Sequence, residues 1–182
     1  MAASVMPNRS DRQMVLKPQD LYLLLALAAV DGQGTTYPEL SAFTGLSMSA
    51  VHAALKRAEA ARLLVFEDKR PRVLKPAFRE FLFHGAKYAF PAVRGGMIVG
   101  LPTAHAAPPL LAQIAPSSEP PPVWPALEGK VRGIALVPIY PSVPMAALRN
   151  APLYESLALF DALRAGNARE RALAQRLFEE RL

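Results

Sequence analysis

The stretch 36–55, TYPELSAFTGLSMSAVHAAL, leaves the chain little choice of local structure. Thr36 and Glu39 stand three apart. At that spacing a Thr hydroxyl accepts the Glu backbone N–H while the Glu carboxylate takes the Thr N–H. Pro38 falls in the first turn of the helix so started, where a missing N–H costs nothing. Leu40 and Phe43 give this helix an inner face. Gly45 follows where the helix must stop and the chain turn, a place that favours a left-handed backbone. Ser47 then caps a second helix, with Val51 and Leu55 one turn apart on its buried side. Met48, Ser49, His52, Ala53 and Lys56 are left pointing mostly outward. The expectation is two short helices joined by a tight turn, the second offering small, polar and basic side chains to solvent.

The next residues extend the pattern. The second helix runs on through LKRAEAAR, and Leu63, Leu64 and Val65 form an apolar run suited to a strand. EDKRPR is a charged turn containing Pro71, and Val73 and Leu74 suit a returning strand. From Lys56 to Lys75 there are seven basic residues (Lys56, Arg57, Arg62, Lys69, Arg70, Arg72, Lys75) against three acidic ones (Glu59, Glu67, Asp68). Helix, helix, strand, charged tip, strand is the order of a winged helix-turn-helix. In that arrangement the second helix lies in a DNA major groove and the wing touches phosphate or the minor groove. Ser47, Met48, Ser49, His52 and Lys56 are then the expected base-edge or phosphate contacts. Lys69, Arg70 and Arg72 hold the DNA backbone from the wing.

The phrase SMSAVHAALKRAEAARLLVFEDKR resembles the recognition helix and wing of the MarR-like bacterial transcription regulators. The resemblance covers roughly residues 17–75, under half the chain. The turn before the wing in that family usually carries a Gly, where this chain has AARLL. The resemblance implies a DNA-binding domain, and it permits a small-molecule effector held between the DNA-binding and dimerisation parts. The expected function is a sequence-specific, DNA-binding transcription regulator, a repressor that meets double-stranded DNA as a homodimer. The alternative is an antitoxin or adaptor that uses a winged-helix scaffold to hold a protein partner such as a toxin.

Composition agrees with a nucleic-acid partner. The formal charge is +6 and the sequence pI about 9.9, the electrostatic footprint of a nucleic-acid binder, although solubility alone also produces it. Residues 1–90 carry twelve basic and eight acidic side chains, and residues 91–182 nine and seven, so the first half holds most of the excess. The absence of cysteine excludes disulfides and thiolate metal sites. The N-terminus lacks the apolar core of a signal peptide, and the longest apolar run, 21–30, is shorter than the roughly 20 residues a membrane helix needs. A soluble, cytoplasmic protein is expected.

The predicted fold class is α+β, mainly α. Residues 1–16 read as a loose tail and 17–90 as the winged helix-turn-helix domain. That domain opens with a helix over 17–30, stopped by DGQG at 31–34, and closes with a helix from Pro76 that Gly85 or Pro91 ends. The segment 91–151 is Pro-rich, since thirteen of the 18 prolines lie between Pro91 and Pro152. Within it GGMIVGL and VRGIALVPI read as strands, PPLLAQIAP as one or two helical turns, and SSEPPP as exposed polyproline, with Trp124 pinning the loop to the body. Residues 152–182 form two more helices, 152–166 and 167–182, the second opened by Asn167 and Glu170 at capping-box spacing. Their apolar stripes, including Leu173, Leu177 and Phe178, are a candidate dimer interface; the plainer alternative is packing within the chain.

Enzymatic chemistry finds almost no support. GGMIVG lacks the Lys-Ser/Thr and the helix of a phosphate loop. No nucleophile elbow or Ser–His–Asp order stands out. The three widely separated histidines give no zinc spacing. His52 belongs to the outward face of the second helix, His84 reads as a cap or packing residue, and His105 as a structural hydrogen-bond partner. No cofactor is expected. Region 91–145 reads as a segment that packs against the winged helix and braces a dimer, in preference to a small-molecule sensor.

Overall fold

A computed structural model describes residues 14–30, 35–115 and 118–182 of the chain. The tail up to Gln13, the DGQG stop at 31–34 and Ser117 of the expected polyproline piece lie outside the described residues. The fold is α+β and mainly helical. Helix α1 (Pro18–Ala29) has Pro at its start and is buried on every side, with Asp20 through Leu27 all buried. A helix apolar all round belongs at the centre of a fold, and α1 packs against both α3 and α7.

Helices α2 (Tyr37–Thr44) and α3 (Met48–Ala60) form as the sequence dictates. The Thr36 hydroxyl accepts the Glu39 N–H at 3.4 Å, and Glu39 accepts the Thr36 N–H at 2.7 Å. Gly45 sits at φ 71° and ties its N–H to the Ser41 carbonyl. The Ser47 hydroxyl caps α3 by accepting the Ala50 N–H. Val51, Ala54, Leu55 and Ala58 face inward, which fixes the helical phase as expected.

The end of α3 explains the missing glycine. Leu63 N–H reaches the Ala58 carbonyl and Arg62 N–H the Glu59 carbonyl, the paired bonds of a Schellman stop. That stop needs a left-handed residue, and Arg62 supplies it at φ 57°. A side chain in this region costs roughly 1 kcal/mol more than glycine. Arg62→Gly is therefore expected to raise stability by about 0.5–1 kcal/mol, read as a higher urea midpoint at unchanged slope. An unchanged or lower midpoint would show that the Arg62 side chain makes a compensating contact.

Strands β1 (Leu64–Glu67) and β2 (Arg70–Val73) then form an antiparallel hairpin with Glu67 opposite Arg70. The turn is shorter than the sequence suggested. Only Asp68 and Lys69 lie outside the strands, both at positive φ, the backbone of a type I′ turn. The apolar runs alone did not reveal this, because Glu67, Arg70 and Arg72 pair in the ladder despite their charge. Pro71 is buried in β2 on the face opposite Arg70 and Arg72.

The next helix is continuous from α4 (Lys75–Glu80) through a π turn (Phe81–Gly85) to α5 (Ala86–Ala89). Gly85 does not end it. Strand β3 (Arg94–Pro102) follows, then two single 3₁₀ turns, β4 (Pro122–Pro125) and β5 (Val131–Leu136). β3 pairs antiparallel with β5 through its first part and with β4 through its end. β4 and β5 pair in parallel, so the three strands close on one another. The closure demands close approach: a Cβ on Gly133 would strike the Pro121 carbonyl, and one on Gly100 the Trp124 carbonyl.

β4 is a correction to the sequence reading, which took the prolines before Trp124 as an exposed polyproline piece. Pro122, Val123 and Trp124 are buried. Proline cannot donate to a ladder, but its carbonyl accepts. Pro122 takes the Thr103 N–H and Pro121 the Ile134 N–H, so the segment joins the sheet as an acceptor.

Three helices complete the chain: α6 (Val143–Arg149), α7 (Ala151–Ala165) and α8 (Ala168–Glu179). α6 was not expected. Asn150 caps α7, and Asn167 with Glu170 forms the capping box of α8. Ser156 through Leu163 of α7 are all buried, and a single core of buried apolar residues runs from Leu21 to Phe178. The α8 stripe is used within the chain: Leu177 and Phe178 are buried, α8 packs on α7, and the Phe178 ring lies 6.4 Å from that of Phe83. The plainer of the two readings of this stripe describes its place in the fold.

Candidate nucleic-acid interface

The outward face of α3 is set by what holds its inward face. Asp20, fully buried near the start of α1, receives two bonds from the Arg57 guanidinium, at 2.7 Å from Nε and 2.6 Å from Nη2, and a third from the Lys17 N–H at 2.8 Å. The carboxylate of Asp20 pushes the Arg57 pKa up further. Arg57, one of the seven cations of this stretch, is thus turned inward and pins α3 to α1. Ser47, Met48, Ser49, His52 and Lys56 are all exposed. The Ser47 and Ser49 hydroxyls lie 3.1 Å apart at the start of the helix.

Lys69, Arg70 and Arg72 are exposed as well. Lys69 is at the turn of the hairpin, while Arg70 and Arg72 project from one face of β2 rather than from a tip. Arg72 pairs with Glu67 at 2.6 Å, with both side chains more than half exposed. Such a pair contributes about 0–1 kcal/mol, so a phosphate can displace the carboxylate at small cost.

The start of α2 joins the two sets. The Tyr37 ring lies 6.0 Å from that of His52. The Glu39 carboxyl is held below its ordinary range, first by the Thr36 N–H, then by the Thr36 hydroxyl, with a contribution from the Arg70 charge. The α3 face and the β2 cations therefore border the same helix start. Tyr37, half-buried beside His52, was missed by the sequence reading; its position just after the cap residue Thr36 was the available signal. A groove of about 1060 Å³ runs under the hairpin, lined by Leu27, Val65, Pro71, Arg70, Arg72 and Lys75 among others.

The body below this surface is hydrogen-bonded to it. The carbonyl of Thr44, at the end of α2, accepts both the Tyr22 hydroxyl at 2.9 Å and the Ser142 hydroxyl at 2.6 Å. Tyr22 stacks on Tyr140, and burial pushes its hydroxyl up to about 12. Deeper still lies a polar knot. Asp161 of α7, fully buried, accepts the Thr103 hydroxyl at 2.7 Å, the Trp124 indole N–H at 2.6 Å and the Arg164 Nε–H at 2.8 Å. Burial raises the Asp161 pKa, opposed first by the Arg164 charge and then by these hydrogen bonds. Trp124 thus pins the Pro-rich segment, as expected. Both oxygens of the buried Asp161 carboxylate accept hydrogen bonds.

His84 is exposed in the π turn beside Phe83. His105 lies 3.3 Å from the Glu170 carboxylate at the start of α8. Among the described residues no group of three or more His, Asp or Glu side chains is placed to hold a metal, and no helix is long and apolar enough to cross a membrane. No protein family, no curated protein and no solved structure matches the chain.

Proposed function

We propose that the chain is a sequence-specific DNA-binding transcription regulator of the winged helix-turn-helix type, acting as a repressor and as a homodimer. The observation that carries this reading is the joint exposure of Ser47, Met48, Ser49, His52 and Lys56 on α3 beside Lys69, Arg70 and Arg72 on the hairpin. A helix locked from behind and presenting small and polar groups suits a major groove about 12 Å wide. Cations on a neighbouring hairpin supply the sequence-independent attraction to phosphate.

The test is a mobility shift with DNA from upstream of the chain's own gene, repeated over a range of salt. Replacing Lys69, Arg70 and Arg72 together by Ala is expected to weaken binding to all sequences. The slope of log K against log salt should flatten by about 0.9 for each phosphate that the variant no longer neutralises. His52→Ala is expected instead to change the preference among operator variants, with a loss of about 1–3 kcal/mol at the preferred site. An unchanged salt slope removes the hairpin from the contact set, and no binding to duplex DNA at low salt overturns the reading. The second reading, an adaptor or antitoxin holding a protein partner, draws on one observation, the exposed apolar residues of β3 described next.

A further inference from the structure

β3 leaves unmet the burial that a strand normally secures. Residues 94–99 are exposed without alternation, so both faces are open. Met97 is 47 % exposed, Ile98 41 % and Val99 50 %. Val93, Val137 and Leu127, which flank the β3–β5 ribbon in sequence, are exposed too. One edge of β3 is paired with β5. On the other edge β4 begins only at Gly100, so among the described residues nothing pairs with the backbone of Met97–Val99 there. Edge strands are ordinarily guarded by charge, proline or a bulge. Here the register shift lies between Arg94 and Met97 and leaves the three following residues regular.

We propose that this edge pairs with the same edge of a second copy, β3 against β3, about a twofold axis at Ile98. A twofold contact needs one self-complementary surface, and an antiparallel strand supplies it. The free regular stretch centres on Ile98, so Met97 of each copy comes opposite Val99 of the other. No acidic residue occurs between Glu80 and Glu119. Arg94, the only charge on β3, already donates to the Ala165 carbonyl and falls beyond the paired residues. The pairing therefore brings no like charges together. The pairing covers three half-exposed apolar side chains of each copy, Met97, Ile98 and Val99, along the free edge. An extended peptide of another protein would have to match three apolar positions without the help of charge; a second copy matches them by symmetry. The inference stands on the strand edge and not on DNA binding, so the mobility-shift result leaves it intact.

The whole chain is expected to sediment as a dimer at micromolar concentration. Ile98→Lys with Val99→Lys changes exposed side chains only. It should keep the circular dichroism and melting temperature of the wild type while raising the dimer dissociation constant about a hundredfold. Because the chain has no cysteine, Ile98→Cys reports the axis directly: mild oxidation should give a cross-linked dimer, and Val93→Cys should not. A monomeric wild type overturns the proposal. So does a dimer that survives the two lysines, or cross-linking that favours Val93 over Ile98.

Discussion

Asp161→Ala is expected to lose about 3–5 kcal/mol of folding stability, the usual cost of removing one partner from a buried, hydrogen-bonded ion pair. The residue joins three segments that are distant in sequence. Thr103 lies just after β3, Trp124 on β4, and Arg164 one turn along α7. Removing the carboxylate leaves the Trp124 N–H and the Thr103 hydroxyl buried without an acceptor, and each such group carries a desolvation penalty of about 1–3 kcal/mol. Arg164 keeps one bond, to the Val137 carbonyl at 2.7 Å, which moderates the loss. Urea unfolding followed by tryptophan fluorescence measures this, since Trp124 is the only indole. A loss under about 1 kcal/mol would show that the knot is not a source of stability. The pH dependence has a definite sign. Burial raises the Asp161 pKa in the folded chain, so the folded state holds this proton more tightly than the unfolded one. The associated stability is full below the unfolded value of about 3.9 and is lost as pH rises through the folded value. Relative to Asp161→Asn, which does not titrate, the wild type should gain stability as pH is lowered through that window.

Asp20→Ala is expected to cost about 3 kcal/mol and to weaken the proposed DNA binding without touching any residue of the proposed contact face. Asp20 is buried and Arg57 nearly so, with two bonds between them and a third from the Lys17 N–H. The substitution strands a guanidinium between α1 and α3 and frees the back of α3 to shift. A displacement of that helix misaligns His52 and Lys56 together, so affinity should fall across all sites rather than change preference among them. Replacing both partners, Asp20→Leu with Arg57→Met, removes the stranded charge and should restore most of the stability, since an apolar pair of similar volume often equals a buried ion pair. A deficit of about 1 kcal/mol should remain because the Lys17 N–H no longer has its cap. Equilibrium unfolding of the wild type and both variants, paired with titration of labelled duplex, separates the two effects. A double variant as unstable as Asp20→Ala would place the loss in the cap rather than the pair.

The order of the first three helices and the hairpin was legible because each rests on local physics. Thr36 with Glu39, Gly45, Ser47 and Asn167 with Glu170 act on backbone groups within four residues of themselves, so their spacing carries the information; the Asn150 cap of α7 was not read from the sequence. The outward face of α3 was legible for the same reason, since Val51 and Leu55 fix its phase. Other features depended on partners far along the chain. That Arg57 turns inward follows from Asp20, thirty-seven residues away. That Arg62 can replace a glycine follows from a backbone stop, not from its side chain. The strand at Pro122–Pro125 exists because Thr103 and Ile134 supply donors that the prolines can accept. The α8 stripe alone did not show what it packs on; only the fold places Leu177 and Phe178 against α7 and Phe83. The strand 94–102 was readable from its apolar residues, but its open edge was not. Hydropathy records how much a residue gains from burial, and only the packing of β4 and β5 decides which edge is left without a neighbour.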